Sequence, residues 1–277
     1  MRIGIVGLGL IGGSLARAYK EYSDNEVYGC DIDKSIVDIA KMANVIDKEL
    51  TDDNIGECDC IIIALYPKAA VEYIQHVAPL IAKDAILIDC CGTKREICKL
   101  CFEIAEQHDF LFVGGHPMAG RQYSGFKHSK ADLFKNASMV IIPYSLTDIR
   151  VLERIKKCIE PVGFSKITIT TPEKHDEVIA FTSQMAHVVS NAYVKSETAL
   201  AHKGFSAGSY KDLTRVAYLN EDMWTELFME NRDNLINELD YFIKEVTKYK
   251  EALVNEDAET LKKLLAEGKQ RKEEIDG

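Results

Sequence analysis

The first half of the chain alternates short β-branched runs with amphipathic stretches. Runs at 2–6, 26–30, 59–65, 85–89, 110–113, 139–143 and 166–170 read as strands, and helical segments fill most of the gaps between them. The run Ile61-Ile62-Ile63-Ala64-Leu65 is apolar throughout rather than alternating. That is the pattern of a parallel sheet covered by helices on both faces. It predicts an α/β domain built on a Rossmann-type, doubly wound sheet.

After Thr171-Pro172 the β signal stops, and the rest of the chain reads as helix with few breakers. The predicted organisation is therefore an α/β domain over 1–171 and an all-helical C-terminal domain over 172–277. The segment 178–194 contains no Asp, Glu, Lys or Arg, which predicts a helix buried on most faces. Further on, Leu235, Leu239, Phe242, Val246 and Tyr249 recur at spacings of three and four and define one apolar stripe on a long helix. Burying two such helices takes more core than this half supplies, so pairing of two chains into a homodimer is expected. The charged tail, 262–277, reads as a solvated last helix.

Composition narrows the function classes. A chain of 277 residues with 47% hydrophobic and 28% charged residues is an ordinary globular sequence, neither disordered nor of low complexity. Its formal net charge of −10 argues against nucleic-acid binding. No uncharged apolar run reaches the ~18–20 residues of a membrane span, and the apolar N-terminus turns glycine-rich at once, unlike a signal peptide. A cytoplasmic protein with reduced thiols is expected, since the 8 cysteines fall mostly in strand-like and helical runs. Cys98 and Cys101 have metal-like spacing without a second pair, so no metal site is expected.

The strongest local signal is Gly7-Leu8-Gly9-Leu10-Ile11-Gly12, which follows the first strand and opens the helical run 13–22. Gly7 permits the tight turn, Gly9 admits a pyrophosphate to the backbone, and Gly12 lets helix and strand pack closely. Free N–H groups of the helix start, around Leu10 and Ile11, then face the phosphates. Asp31, at the end of the second strand, can accept hydrogen bonds from an adenosine ribose, which favours NAD over NADP. Lys34 is the one nearby cation that could accommodate a 2′-phosphate.

Gly114-Gly115-His116-Pro117 follows the strand 110–113 directly. Ligands of such sheets bind at the carboxyl ends of the strands, so His116 is placed to take the proton from a hydroxyl as its carbon gives up hydride. A histidine hydrogen-bonded within a glycine-rich turn accounts for the same residues. Gln184, His187 and Asn191 form a polar stripe on the uncharged helix, explained either by bonding between helices or by a face turned to substrate.

Taken together, these residues resemble the prephenate/arogenate dehydrogenases of tyrosine biosynthesis. The resemblance covers nearly the whole chain. Beyond the glycine turn it rests on Asp89-Cys90-Cys91-Gly92-Thr93-Lys94, Gly115-His116-Pro117-Met118-Ala119-Gly120, Ser183-Gln184-Met185-Ala186-His187, Asp212-Leu213-Thr214-Arg215, Trp224 and Asn231. It implies a dinucleotide-binding domain followed by a helical dimerisation domain, and NAD-dependent oxidative decarboxylation of prephenate to 4-hydroxyphenylpyruvate. It further implies His116 as the catalytic base, Arg215 as the group that grips a substrate carboxylate, and His187 as a substrate-facing residue. Without the resemblance, Arg215 reads as a surface partner of Asp212.

The sequence departs from the family pattern at several of these positions. Members often carry serine where this chain has Gly92, which leaves Thr93 as the neighbouring substitute, and a second histidine where it has Gln184. Arg121-Gln122 stand where Thr-Glu is common, and Arg121 adds a cation near His116 that suits a dianionic substrate. The length leaves no room for a chorismate mutase segment or a regulatory domain. Three other readings compete: arogenate dehydrogenase, a β-hydroxyacid-type dehydrogenase using Lys195 or Lys203, and a non-catalytic NAD sensor.

Overall fold

The computed structural model describes residues 1–120, 123–145 and 149–276. Its first half runs β1 (Arg2–Val6), α1 (Leu10–Tyr22), β2 (Glu26–Cys30), α2 (Lys34–Met42), β3 (Lys48–Glu49), β4 (Cys60–Ile63), α3 (Pro67–Val77), β5 (Ile86–Asp89), α4 (Arg95–His108), β6 (Leu111–Pro117), β7 (Ser138–Pro143), α5 (Ile149–Ile159) and β8 (Lys166–Ile169). The strands form one sheet in the order β3-β2-β1-β4-β5-β6-β7-β8. Only the β6–β7 pair is antiparallel among them. The order reverses between β1 and β4, and the crevice outside their carboxyl ends is where open α/β sheets bind ligands. Apolar side chains from both faces of the sheet, such as Ile3 and Ile5 on one and Ile61 and Ile63 on the other, form two fully buried layers beneath the helices.

The sheet differs from the hydrophobic pattern at two places. Strand β3 is a Lys-Glu pair at the sheet edge, paired Tyr28↔Lys48 and Gly29↔Glu49, and two charged residues carry no apolar signature to announce it. Strand β6 runs past the predicted end at Val113 through Gly114, Gly115 and His116 to Pro117, paired with β7 as Gly115↔Ile141 and His116↔Val140. His116 is therefore a strand residue and not part of a glycine-rich turn. Glycine is a poor strand former, but here the backbone is crowded. A Cβ on Gly114 would lie 2.6 Å from Cys98 Sγ, and one on Gly115 would collide with the Asp89 carbonyl oxygen.

The second half comprises α6 (Pro172–Ile179), a π-helical turn (Ala180–Gln184), α7 (Met185–Tyr193), α8 (Gly208–Thr214), α9 (Glu221–Glu230), α10 (Arg232–Val254) and α11 (Ala258–Asp276). Pro172 opens α6 at a position that needs no N–H, and Thr171 Oγ1 accepts from Lys174 N at 3.3 Å. The uncharged segment 178–194 is not buried on most faces of a single chain. Ala180, Gln184 and Ser190 are buried, whereas Val178, Phe181 and Tyr193 are exposed. On α10 the predicted stripe begins buried at Leu235 and emerges at Phe242 and Val246. No helix among the described residues is long and apolar enough to cross a membrane.

The two halves are joined at the carboxyl edge of the sheet by carboxylates that cap helix N-termini. Glu226 of α9 accepts from Lys68 N at 2.7 Å, at the start of α3. Asp176 of α6 accepts from Lys94 N at 2.8 Å and Arg95 N at 2.9 Å, at the start of α4. Each carboxylate satisfies donors that the helix itself leaves unpaired, and its charge suits the positive end of the helix dipole. Arg95 extends the second junction to Asp233 at 2.7 Å and Asn231 at 3.0 Å.

Candidate active site

The glycine turn has the shape a dinucleotide requires. Gly7 adopts φ +84° and donates to Cys30 O at 2.9 Å, tying the turn to the end of β2. A Cβ on Gly12 would collide with the Gly7 carbonyl oxygen, whereas one on Gly9 would meet nothing within 4 Å. The backbone at Gly9 is thus open to an incoming group, and Leu10 and Ile11 start α1 beside it with N–H groups that the helix leaves free. Asp31 Oδ2 accepts from Leu8 N at 2.7 Å and Oδ1 from Asp33 N at 3.0 Å, which fixes the carboxylate beside the glycine turn at the end of β2. Lys34 is paired with Glu49, which Lys41 also contacts at 3.3 Å.

Beyond the crevice, the end of β6 carries His116, partly exposed. Its strand is pinned to β5 through Asp89, whose Oδ1 accepts from Gly115 N at 3.0 Å and whose Oδ2 accepts from Cys91 N at 2.8 Å. Asp89 Oδ2 also pairs with the Lys94 ammonium, and both side chains are completely buried. Burial disfavours the Lys94 charge, yet Asp89 outweighs it and holds the amine above its ordinary value. His116 Nδ1 lies 2.8 Å from His175 Nε2, and His175 Nδ1 lies 2.7 Å from Asp176 Oδ1. Burial, then His175 and Lys94, push His116 well below the usual histidine range, so it is neutral near pH 7.

Arg215 and His187 form a second cluster. His187 Nδ1 donates to Val216 O at 2.9 Å, which docks the turn bearing Arg215 onto α7. The His187 ring lies against Trp224 with centroids 3.7 Å apart. Burial and the Arg215 charge hold the His187 imidazole below its ordinary pKa, although its bond to Val216 O opposes them. Arg215 is exposed, and no ion pair joins it to Asp212 among the described residues.

Two expected site residues bond to the helical half. Thr93 is buried and its hydroxyl donates to Glu230 of α9. Gln184 uses both ends of its carboxamide within the same chain, donating to Leu227 O at 3.0 Å and accepting from Asn231 Nδ2 at 2.9 Å. Gly92 leaves room for Leu227, whose methyl carbons would lie 3.3 Å from an added Cβ. Arg121 lies outside the described residues. His175 and Asp176 escape the sequence reading because first-turn polar residues look like ordinary capping. The signal was their spacing of three to five from the buried Ile179 and Ala180, which puts them on the inward face of α6. Cys98 and Cys101 face the core under β6, where burial pushes both thiols up, and no metal-holding cluster occurs among the described residues.

Sequence comparison matches residues 15–168 to the family described as prephenate dehydrogenase, nucleotide-binding domain, and 171–267 to the prephenate dehydrogenase dimerization domain. The chain is 31% identical to the cyclohexadienyl dehydrogenase of Zymomonas mobilis over 94% of this chain and 90% of that protein. It is 29% identical to the prephenate dehydrogenase of Bacillus subtilis over 93% of this chain and 71% of that one. Its fold superposes on the crystal structure of A. aeolicus prephenate dehydrogenase, solved with hydroxyphenyl propionate and NAD+, with a TM-score of 0.85 and 28% identity over 99% of this chain and 98% of that chain. Two matches that share one family name and run from residue 15 to residue 267, on a backbone that superposes along its length, make this chain a member of the prephenate dehydrogenase family.

Proposed function

We propose that the protein is an NAD-dependent prephenate dehydrogenase that converts prephenate to 4-hydroxyphenylpyruvate, with His116 as its base. The observation that carries this reading is His116 itself, a neutral and partly exposed imidazole at the carboxyl edge of the sheet, on a strand pinned through Asp89. Gly7, Gly9, Gly12 and the start of α1 at Leu10 and Ile11 hold the pyrophosphate, and Asp31 holds the ribose. The pairing of Lys34 with Glu49 supports NAD over NADP. Arg215, assisted by His187, takes a substrate carboxylate in a planar fork. The cofactor, when bound, accepts the hydride that leaves the ring carbon bearing the hydroxyl. His116 holds the hydroxyl proton meanwhile. Loss of the ring carboxylate as carbon dioxide returns an electron pair to the ring, and His116 gives the proton back to the phenolate oxygen. A dianionic substrate thus becomes a monoanionic keto acid, and aromatisation drives the step.

Residues 1–171 form the cofactor domain and 172–277 the substrate and dimer-forming domain of this reading, and the protein works as a homodimer. Eight free cysteines suit a reducing cytoplasm. The test is NADH formation followed by absorbance with prephenate and, separately, arogenate, each offered with NAD and with NADP. Turnover of prephenate with NAD is expected to exceed the other three combinations. Faster turnover of arogenate would reassign the substrate, and cofactor binding without turnover would leave a sensor.

A further inference from the structure

We propose that His175 and Asp176 are positioning residues that fix which ring nitrogen of His116 carries its proton. This inference rests on the reading of His116 as the base. Asp176 lies at the end of a chain of hydrogen bonds that runs through His175 to His116, and it is the one group in that chain that can only accept while ionised. Donors surround it: Lys94 N at 2.8 Å, Arg95 N at 2.9 Å, Arg95 Nε at 3.3 Å and His175 Nδ1 at 2.7 Å. Burial works against the charge, but His175 and the α4 amides outweigh it and hold Asp176 below the usual carboxylate range.

The consequence propagates along the chain. His175 Nδ1 must donate to an ionised Asp176. A neutral imidazole has one N–H, so His175 Nε2 keeps a lone pair. Across the 2.8 Å contact, His116 Nδ1 must then donate, and His116 Nε2 is left as the free acceptor. Any other assignment sets two lone pairs or two N–H groups against each other. Once Nε2 takes a proton, the Nδ1–H bond to His175 becomes charge-assisted, with the Asp176 carboxylate one ring further on. The charged groups facing His116 and His175 are Lys94 from the start of α4, Asp89 from β5 and Asp176 from α6; Lys94 and Asp89 neutralise one another. No neighbouring side chain of the β5–α4 loop competes for His116 Nδ1, because Gly92 has none and Thr93 is tied to Glu230. Because Asp176 also caps α4, the chain of bonds is complete only when the helical half is seated on the sheet.

Two measurements test this. The first uses the wild-type protein without substrate, labelled with 15N in its histidine rings. Long-range proton–nitrogen correlation spectra are expected to show His116 as the Nδ1–H tautomer, and an Nε2–H tautomer would overturn the proposal. The second compares His175→Phe, which removes the acceptor, with His175→Gln, which keeps an oxygen near the Nε2 position. His175→Phe is expected to lower kcat on the order of 10²-fold with KM little changed, because His116 Nδ1 loses the acceptor that fixes its tautomer. His175→Gln should recover much of the rate. A His175→Phe enzyme with kcat within about threefold of wild type would sink the idea. If His175→Phe does not fold, the wild-type tautomer and the kcat of His175→Gln decide. A wild-type protein that turns over neither prephenate nor arogenate but shows the Nδ1–H tautomer would remove the functional reading and leave the positioning intact.

Discussion

A histidine in water is half protonated near pH 6.5, and His116 is pushed well below this by burial, by His175 and by Lys94. The sign matters for activity. A base works unprotonated, so lowering its pKa extends the active form toward acid, and kcat/KM is expected to stay level down to about pH 6.5 and fall only below it. His116→Ala should lower kcat by on the order of 10²-fold or more while NAD binding, followed by fluorescence, is nearly unchanged. A variant retaining a large share of wild-type kcat would take His116 out of the base role. The role proposed for Arg215 is in binding. The residue is exposed and free of Asp212, so Arg215→Gln should raise KM for the carboxylate substrate roughly 10- to 150-fold, the equivalent of ~1.5–3 kcal/mol, with a smaller effect on kcat. Steady-state kinetics with an unchanged KM would shift attention to Arg121.

At the scale of elements, the site depends on β6 being longer than its apolar residues require. The ladder to β7 carries it through Gly115 to Pro117, and Asp89 clamps Gly115 N from the neighbouring strand. A side chain at Gly115 would meet the backbone oxygen of Asp89, which cannot swing away as a flexible side chain can. Gly115→Ala should therefore cost about 1–3 kcal/mol of stability, read as a drop in Tm, and should lower kcat as well because His116 is the next residue. An unchanged Tm would show that the two strands are less tightly apposed than the structure has them. The helix starts of α3 and α4 work in the same way: Glu226 and Asp176 satisfy amides that belong to the other half of the chain, so the cleft geometry is set by helix capping across the domain junction.

Over the whole molecule, the apolar surface is concentrated on the helical half. Val178, Phe181 and Tyr193 around α7 and Phe242 and Val246 on α10 are all exposed in the single chain, on the region matched by the dimerization domain. A second copy of the same surface would cover them. Light scattering at micromolar concentration is expected to give about twice the 31.1 kDa chain mass, and Phe181→Asp should shift it toward the single-chain value. A monomeric wild type would leave these side chains without a partner. The net charge of −10 makes a local cation at the cleft the more necessary for a dianionic substrate, which is the role assigned to Arg215.

What could be read from residues in order was whatever depends on local pattern: the strand–turn–helix around Gly7 to Gly12, the apolar strands of a covered sheet, the change to helix after Thr171, and a histidine near a strand end. Each of these is encoded within a few consecutive positions, by glycine geometry or by the period of apolar residues. Tertiary structure alone decided the rest, because the partners are far apart in the chain. Asp176 reaches Lys94 and Arg95 from the second half, Thr93 turns to Glu230, Gln184 to Leu227 and Asn231, and β6 continues through two glycines because β5 and β7 lie close on either side. A hydrogen bond between distant residues leaves no periodicity in the sequence, so the histidine was legible and the chain of groups that orients it was not.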